Sequence, residues 1–437
     1  MVDANAGRTK RAESVGFVSF ATEERFSVEE SRDKLRPEID LLICCARLRL
    51  LAPERKRIMC LIRGELDWAS LIYLASGHGL LPLLYRHLNT LAPAPIPSPV
   101  FVELWARYES NARRNRAMAA ELLNILGMFE ANGIPAIAFK GPSLAAAVYG
   151  DLGLREFGDL DILLRRKDVL IAKKLLQTQG YVPTYDLTLA VEATFLRSRM
   201  HYDLALVHKT REVMVELHWK TDADCPVEPF EDEHWWANLR HVSLCEQNIR
   251  CFATEELFVI LCVHGAKHTW CSMGWLVDVA EMIRQNVELD WELILCKAAQ
   301  IKCERRLAVG LYLAAHLLDA PLPEKVHNWI DGRPQVKKLG AKTLEMMFHP
   351  DPDVLNSFEG LRLRLSILYE HPWQRLLYCM KALVAPSFIE WSRFPLPRGL
   401  FFLYLPNRLF RLITNYALPM TIKRRLSYFN SSRGRHE

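Results

Sequence analysis

The stretch IPAIAFKGPSLAAAVYGDLGLREFGDLDILLRRKDVLIAKKLLQTQGY, residues 134–181, decides the fold. Its hydrophobic period changes along its length. Ile134 to Phe139 is a short apolar run bounded by turn residues, which predicts a strand. Lys140-Gly141-Pro142 reads as a turn, and Ser143 can cap a small-residue helix through Tyr149. Leu160 to Leu164 predicts a second strand. Lys167 to Gln179 has the spacing of an amphipathic helix, which Gly180 ends. Strand, helix, strand, helix in this order is α/β organisation.

Working outward, HYDLALVH (201–208) and VMVELHWK (213–220) flank a short polar turn and predict an antiparallel hairpin. Upstream, DWASLIYLASGHGLLPLLYRHL (67–88) reads as two helices broken at Gly77–Gly79. Asp67 is the N-cap of the first, and Leu71, Leu74 and Ala75 share one face. APAPIPSP (92–99) cannot continue a helix and reads as a linker. A long amphipathic helix follows from about Val102 to Ala131, closed by Asn132-Gly133. Helical periodicity returns near Glu255 and runs to Met347. The expected fold class is α+β, with a small mixed-sheet core embedded in mostly helical N- and C-terminal regions. The expected units are a polar, mobile arm (1–36), a helical N-terminal region (37–110), the α/β core (111–225), a helical domain completing a cleft (226–347) and a basic, aromatic helical segment (348–437).

Composition sets the class. Of 437 residues, 50% are hydrophobic and 24% charged, as in a globular chain, which excludes a collagenous or largely disordered one. The net charge of +5 is unevenly placed: from Gly360 onward there are 13 Lys and Arg against 3 Asp and Glu. The remainder is net acidic, which argues against a nucleic-acid partner. The 11 cysteines are scattered without a CxxC pair, and residues 1–30 carry no apolar leader. Reduced thiols and a cytoplasmic location are expected. No apolar run approaches the ~20 residues of a spanning helix.

The chemistry begins at GDLDIL (158–163). Strand side chains alternate, so Asp159 and Asp161 point to one side while Leu160 and Ile162 point to the other. Two carboxylates this close repel each other unless a cation sits between them, and Mg²⁺ suits oxygen donors of this kind. A two-metal site also wants a third carboxylate on a neighbouring strand. Glu216 is the preferred candidate, with His218 two residues further on the same face. On the facing strand Asp203 is the rival, beside His201. The strand–KGPS–helix unit upstream offers backbone N–H groups that could meet a phosphate.

The order of strand, Gly-Pro-Ser turn, short helix, DxD strand, helix and strand with a third acid resembles the DNA-polymerase-beta-like nucleotidyltransferase superfamily. More closely, the chain is similar to the largely uncharacterised bacterial nucleotidyltransferase family within it. FKGPSLAAAVYGD, LREFGDLDILL, VELHW, HGAKHTW with WLVDVAEMI, and the helical stretch 67–88 carry the likeness, from about Asp67 to Ile283. The resemblance implies a mixed sheet with packed helices, two Mg²⁺ ions and a nucleoside triphosphate (NTP) substrate. It implies transfer of a nucleoside monophosphate to a hydroxyl of an unidentified small molecule, carbohydrate or protein. By position, Asp159, Asp161 and Glu216 would be the metal ligands and catalytic residues. Asp161 or Glu216 could take the acceptor's proton. Gly141 and Ser143 match the nucleotide-gripping turn, although Pro142 stands between them where the superfamily has Gly-Gly or Gly-Ser. Lys140 is placed to reach a phosphate. Arg155 would either neutralise triphosphate charge or pair with Asp159. His264, Lys267 and His268 share a helix face and, with Asp278, could line the cleft, Lys267 and His268 touching phosphate or base. Zinc at this histidine pair lacks a third ligand. The alternative is a catalytically inactive nucleotide-binding or protein-interaction module with the same fold.

Two readings remain for the C-terminal segment, which mixes Arg408 and Arg411 with large apolar residues. One is a peripheral contact with a membrane or polyanion. The other, favoured on sequence, is a helix packed on the domain with snorkelling arginines. Lys423 to Arg425 reads as a solvated tail.

Overall fold

The computed structural model describes residues 35–91, 96–185, 187–197, 201–221, 236–349, 351–384, 396, 400 and 403–412. Residues 1–34 of the expected arm, residues 92–95 of the proline-rich linker and the 423–425 tail lie outside these. Four short helices open the described chain: α1 (Pro37–Cys45), α2 (Ala52–Leu61), α3 (Trp68–Gly77) and α4 (Leu81–Leu91). Pro37 begins α1, where its missing N–H costs nothing. Asp67 caps α3 by accepting from the Ser70 N–H at 3.0 Å. Helix α5 (Ser98–Ala131) is continuous for 34 residues, so the division expected at 110/111 falls inside it. It closes as its sequence requires: Gly133 takes φ +67° and the Ile134 N–H returns to the Phe129 carbonyl at 2.9 Å.

The sheet follows. Strands β1 (Ala136–Ala138), β2 (Asp159–Leu164), β3 (Tyr181–Pro183), β4 (Asp203–His208) and β5 (Met214–His218) assemble in the order β1-β2-β5-β4-β3. Only the β2–β5 pair is parallel, so the sheet is mixed. The helical turn α6 (Gly141–Leu144) continues as a π-turn over Ala145–Tyr149, and α7 (Val169–Thr178) and α8 (Leu189–Arg197) complete the core. A second sheet, the hairpin β6 (Leu239–Leu244) and β7 (Gln247–Phe252), packs on β1.

Helices then dominate: α9 (Thr254–Lys267), α10 (Met273–Gln285), α11 (Trp291–Gln300), α12 (Glu304–Leu318), α13 (Glu324–Asp331), α14 (Pro334–Met347), α15 (Phe358–Leu368), α16 (Pro372–Val384) and α17 (Tyr404–Leu412). The molecule is α+β, as its patterning predicts.

The strand alternation creates two hydrophobic layers. Leu160, Ile162, Leu164, Leu204, Leu206, Val215 and Leu217 pack with Met118, Leu122, Ile125 and Phe129 of α5 and with α7 and α8. On the opposite face Ile137, Phe139 and Leu163 join the core of the helical layer, which unites α1–α4 with α9–α14. Each buried Leu or Ile here contributes roughly 1.5–3 kcal/mol. Part of that second face is polar, and there the functional residues lie. Among the described residues no helix is long and apolar enough to cross a membrane.

Candidate active site

Register builds the site. In the parallel pair, Asp161 lies level with Glu216 and Asp159 with Met214. Paired residues share a side, and alternation puts Asp159, Asp161, Glu216 and His218 on one face. The antiparallel β4 sets Asp203 directly opposite His218, on that same face. The chain leaves β1 at Phe139, which places Lys140 beside these groups.

The carboxylates are already partly neutralised. Lys140 Nζ lies 2.6 Å from Asp161 Oδ1. His218 Nε2 lies 2.9 Å from the same oxygen and 3.2 Å from Glu216 Oε2. Burial alone would push the Asp161 carboxyl up, but the Lys140 ammonium and the His218 hydrogen bond hold it well below the usual range. Burial would lower His218, yet its bonds to Asp161 and Glu216 raise it to about 9, so it is a cation. Burial likewise opposes ionisation of Glu216, and His218 overcomes it. The His218 ring is held edge-on by Phe139 at 5.2 Å and faced by Tyr202 at 5.9 Å.

Two observations mark where positive charge is still wanting. Asp161 Oδ2 is buried without a hydrogen-bond partner, and Asp159 is driven up to about 6 by burial and by repulsion from Asp161 and Glu216. Burial and the nearby Glu216 raise Asp203 as well. Donor atoms of Asp161, Glu216 and His218 lie within 4.8 Å of one another. Hard carboxylate oxygens in this number fit a divalent ion such as Mg²⁺. Protonated, His218 donates to both carboxylates and adds positive charge to the face.

Helix α9 brings its C-terminal end over this face. Lys267 Nζ contacts the Tyr202 hydroxyl and sits 4.1 Å from that ring's centre. His264 and His268 lie 4.8 Å apart, and both rings touch Trp275, at 5.3 and 5.0 Å. Burial and the adjacent charges of Lys140, His268 and Lys267 push His264 far below its usual value, so it stays neutral.

Other expected residues are placed differently. Arg155 does not take Asp159 as its main partner. Its Nε and Nη2 donate to the two oxygens of Asp278, each at 2.9 Å, and Tyr149 Oη donates to Asp278 Oδ1 at 2.7 Å. Asp278 is buried, so its charge demands this fork, and both residues form a clasp between the core and α10. The clasp lines a pocket with Leu83, Glu156, Ser272 and Trp275. Ser143 is buried, and its hydroxyl donates to the Lys140 carbonyl at 2.7 Å, three residues into the helical turn where a cap was expected. Gly141 has φ +51°, and a Cβ there would stand 2.9 Å from the Asp159 carbonyl oxygen, so only glycine allows this approach. His201 packs on Phe195 at 4.2 Å, outside β4, so the alternation that would have turned it toward the carboxylates does not reach it. Burial lowers it to about 4.

Tyr202, Phe139 and Trp275 were not legible as site residues. A hydrophobic pattern gives an aromatic ring no signal that separates a wall of a cleft from core.

The fold and site define a class: an α+β protein carrying an acidic, cation-seeking face on a small mixed sheet, closed by a basic helix end. The chain belongs to a family described as uncharacterised nucleotidyltransferases, whose model matches residues 64–319. That span runs from the N-terminal helices through the sheet, the carboxylates and α9 to the end of α12. No curated protein and no solved structure matches the chain.

Proposed function

We propose that the protein transfers a nucleoside monophosphate from an NTP to a hydroxyl of a small molecule, carbohydrate or protein, in a Mg²⁺-dependent reaction within the DNA-polymerase-beta-like superfamily. One observation carries the reading: Asp161 and Glu216 stand level on adjacent parallel strands, with Asp159 on the same face and Asp161 Oδ2 buried and unsatisfied. Asp159, Asp161 and Glu216 would hold the metal, with Asp203 the rival for the third place. When bound, the metal supplies neutralisation of the triphosphate and acidifies the acceptor hydroxyl. The acceptor oxygen attacks the α-phosphorus, the bond to pyrophosphate breaks, and the hydroxyl proton passes to Asp161 or Glu216. Lys140 and Lys267 face the same space with positive charge, and the Gly141 turn brings backbone against Asp159. These groups position and neutralise, which is the protein's main share in phosphoryl chemistry.

The inactive-module reading has one observation in its favour: Lys140 and His218 already satisfy Asp161 Oδ1. Incubation with each α-labelled NTP, Mg²⁺ and fractionated metabolites or proteins separates the two. Transfer of label that disappears in Glu216→Gln supports the enzyme. Absence of transfer with every fraction, from protein that binds NTP, supports the module.

A further inference from the structure

Helix α16 is amphipathic in the wrong sense for a packed helix. Trp373, Leu376, Leu377, Met380 and Leu383 recur at the spacing of one helical face. That face is turned outward: Trp373 is 61% exposed, Leu376 64% and Met380 50%, with Leu377 and Leu383 close behind. The half-buried side is the polar one. Arg375 Nε donates to the Tyr369 carbonyl at 3.2 Å, and Tyr378 packs on Tyr369 at 5.3 Å. Helix α17 touches α16 and adds the exposed Phe410 and Leu405.

Charge selects the occupant. Among the described residues of the segment 371–412 there are four cations, Arg375, Lys381, Arg408 and Arg411, and no acid. A second copy of the same surface would set these cations against each other. An anionic surface would not. At 13 residues α16 is also too short to span a bilayer and suits one lying in the interface.

We propose that the outward face of α16 docks on an anionic lipid bilayer, its apolar side chains entering the interface while the exposed Lys381 beside them meets headgroup phosphates. The proposal does not depend on the nucleotidyl-transfer reading. The experiment is cosedimentation of the full chain with vesicles of phosphatidylcholine alone or mixed with phosphatidylglycerol. The expected result is binding to the mixed vesicles that weakens with salt and is slight on the neutral ones. Leu376→Glu/Met380→Glu should reduce that binding at least about tenfold. Both positions are exposed, so its unfolding midpoint should match the wild type. Lys381→Glu, which leaves the apolar face intact, should weaken anionic binding alone. Equal binding to both vesicle types, or none, overturns the proposal. So does a concentration-dependent dimer that Leu376→Glu/Met380→Glu dissolves, which would assign the face to a second copy.

Discussion

Replacing Arg155 with Met should destabilise the protein strongly, and the amount follows from the clasp. The Asp278 carboxylate is 1% exposed and receives three hydrogen bonds, two of them from Arg155. Arg155→Met removes both and leaves a buried charge with the Tyr149 hydroxyl alone. Breaking one partner of a buried pair costs about 3–5 kcal/mol. Unfolding entropy is roughly 2 cal/mol/K per residue, so a cooperative unit of about 250–440 residues should lose about 3–10 °C in midpoint. Urea unfolding gives the free energy, and a thermal scan gives the midpoint. Arg155→Met/Asp278→Leu removes the stranded charge and should recover at least half the loss, because replacing both partners by apolar groups is often close to neutral. A single variant within about 1 kcal/mol of wild type, or a double variant as damaged as the two singles summed, would refute the clasp. Arg155 would then be available for the triphosphate, the other role its sequence position allows.

Other outcomes follow from named contacts. Gly141→Ala should cost about 1–2 kcal/mol from its left-handed backbone alone, and more from the contact with the Asp159 carbonyl; urea unfolding measures it, and metal affinity should fall in parallel. Gly265→Ala would drive a methyl group to 2.3 Å from the buried Trp270 ring, for a loss of about 1–3 kcal/mol or more in the same assay. Burial draws His78, His87 and His201 down to about 4. Below the ordinary histidine value of 6.5 the unfolded chain binds protons that these three refuse. Stability should therefore fall as pH drops from 6.5 toward 4, by up to about 1.4 kcal/mol per pH unit for each, and urea midpoints across that range check it. His218 works in the opposite direction: raised to about 9, it contributes stability fully present below 6.5 and lost as pH rises through 9.

Much of this was legible because local chemistry left few options. The DxD alternation set which way Asp159 and Asp161 point, and the hairpin's parity brought Asp203 and Glu216 to the same side. Asp67 and Gly133 act at helix ends as their types require. The β6–β7 hairpin was missed for a physical reason. Its turn residues, Cys245 and Glu246, take φ of +48° and +69°, positions where Asn or Gly is the usual signal. Strand β3 is three residues long and too short to show a period. The Arg155–Asp278 pairing spans 123 residues, and nothing local to either residue announces a partner so distant. His201 shows the limit of extrapolating alternation: two residues beyond the ladder, side-chain direction is set by packing.

The central claim is that the carboxylate face binds an NTP through a divalent ion. Thermal unfolding with each of the four NTPs, with and without Mg²⁺, on wild type and on Asp159→Asn/Asp161→Asn, tests it without knowledge of the acceptor. Ligand at about 100 times its dissociation constant should add roughly 2.7 kcal/mol. The account predicts a Mg²⁺-dependent rise with at least one triphosphate that is absent in the double variant. A wild type indifferent to every triphosphate, or a shift that survives intact in the double variant, would contradict it.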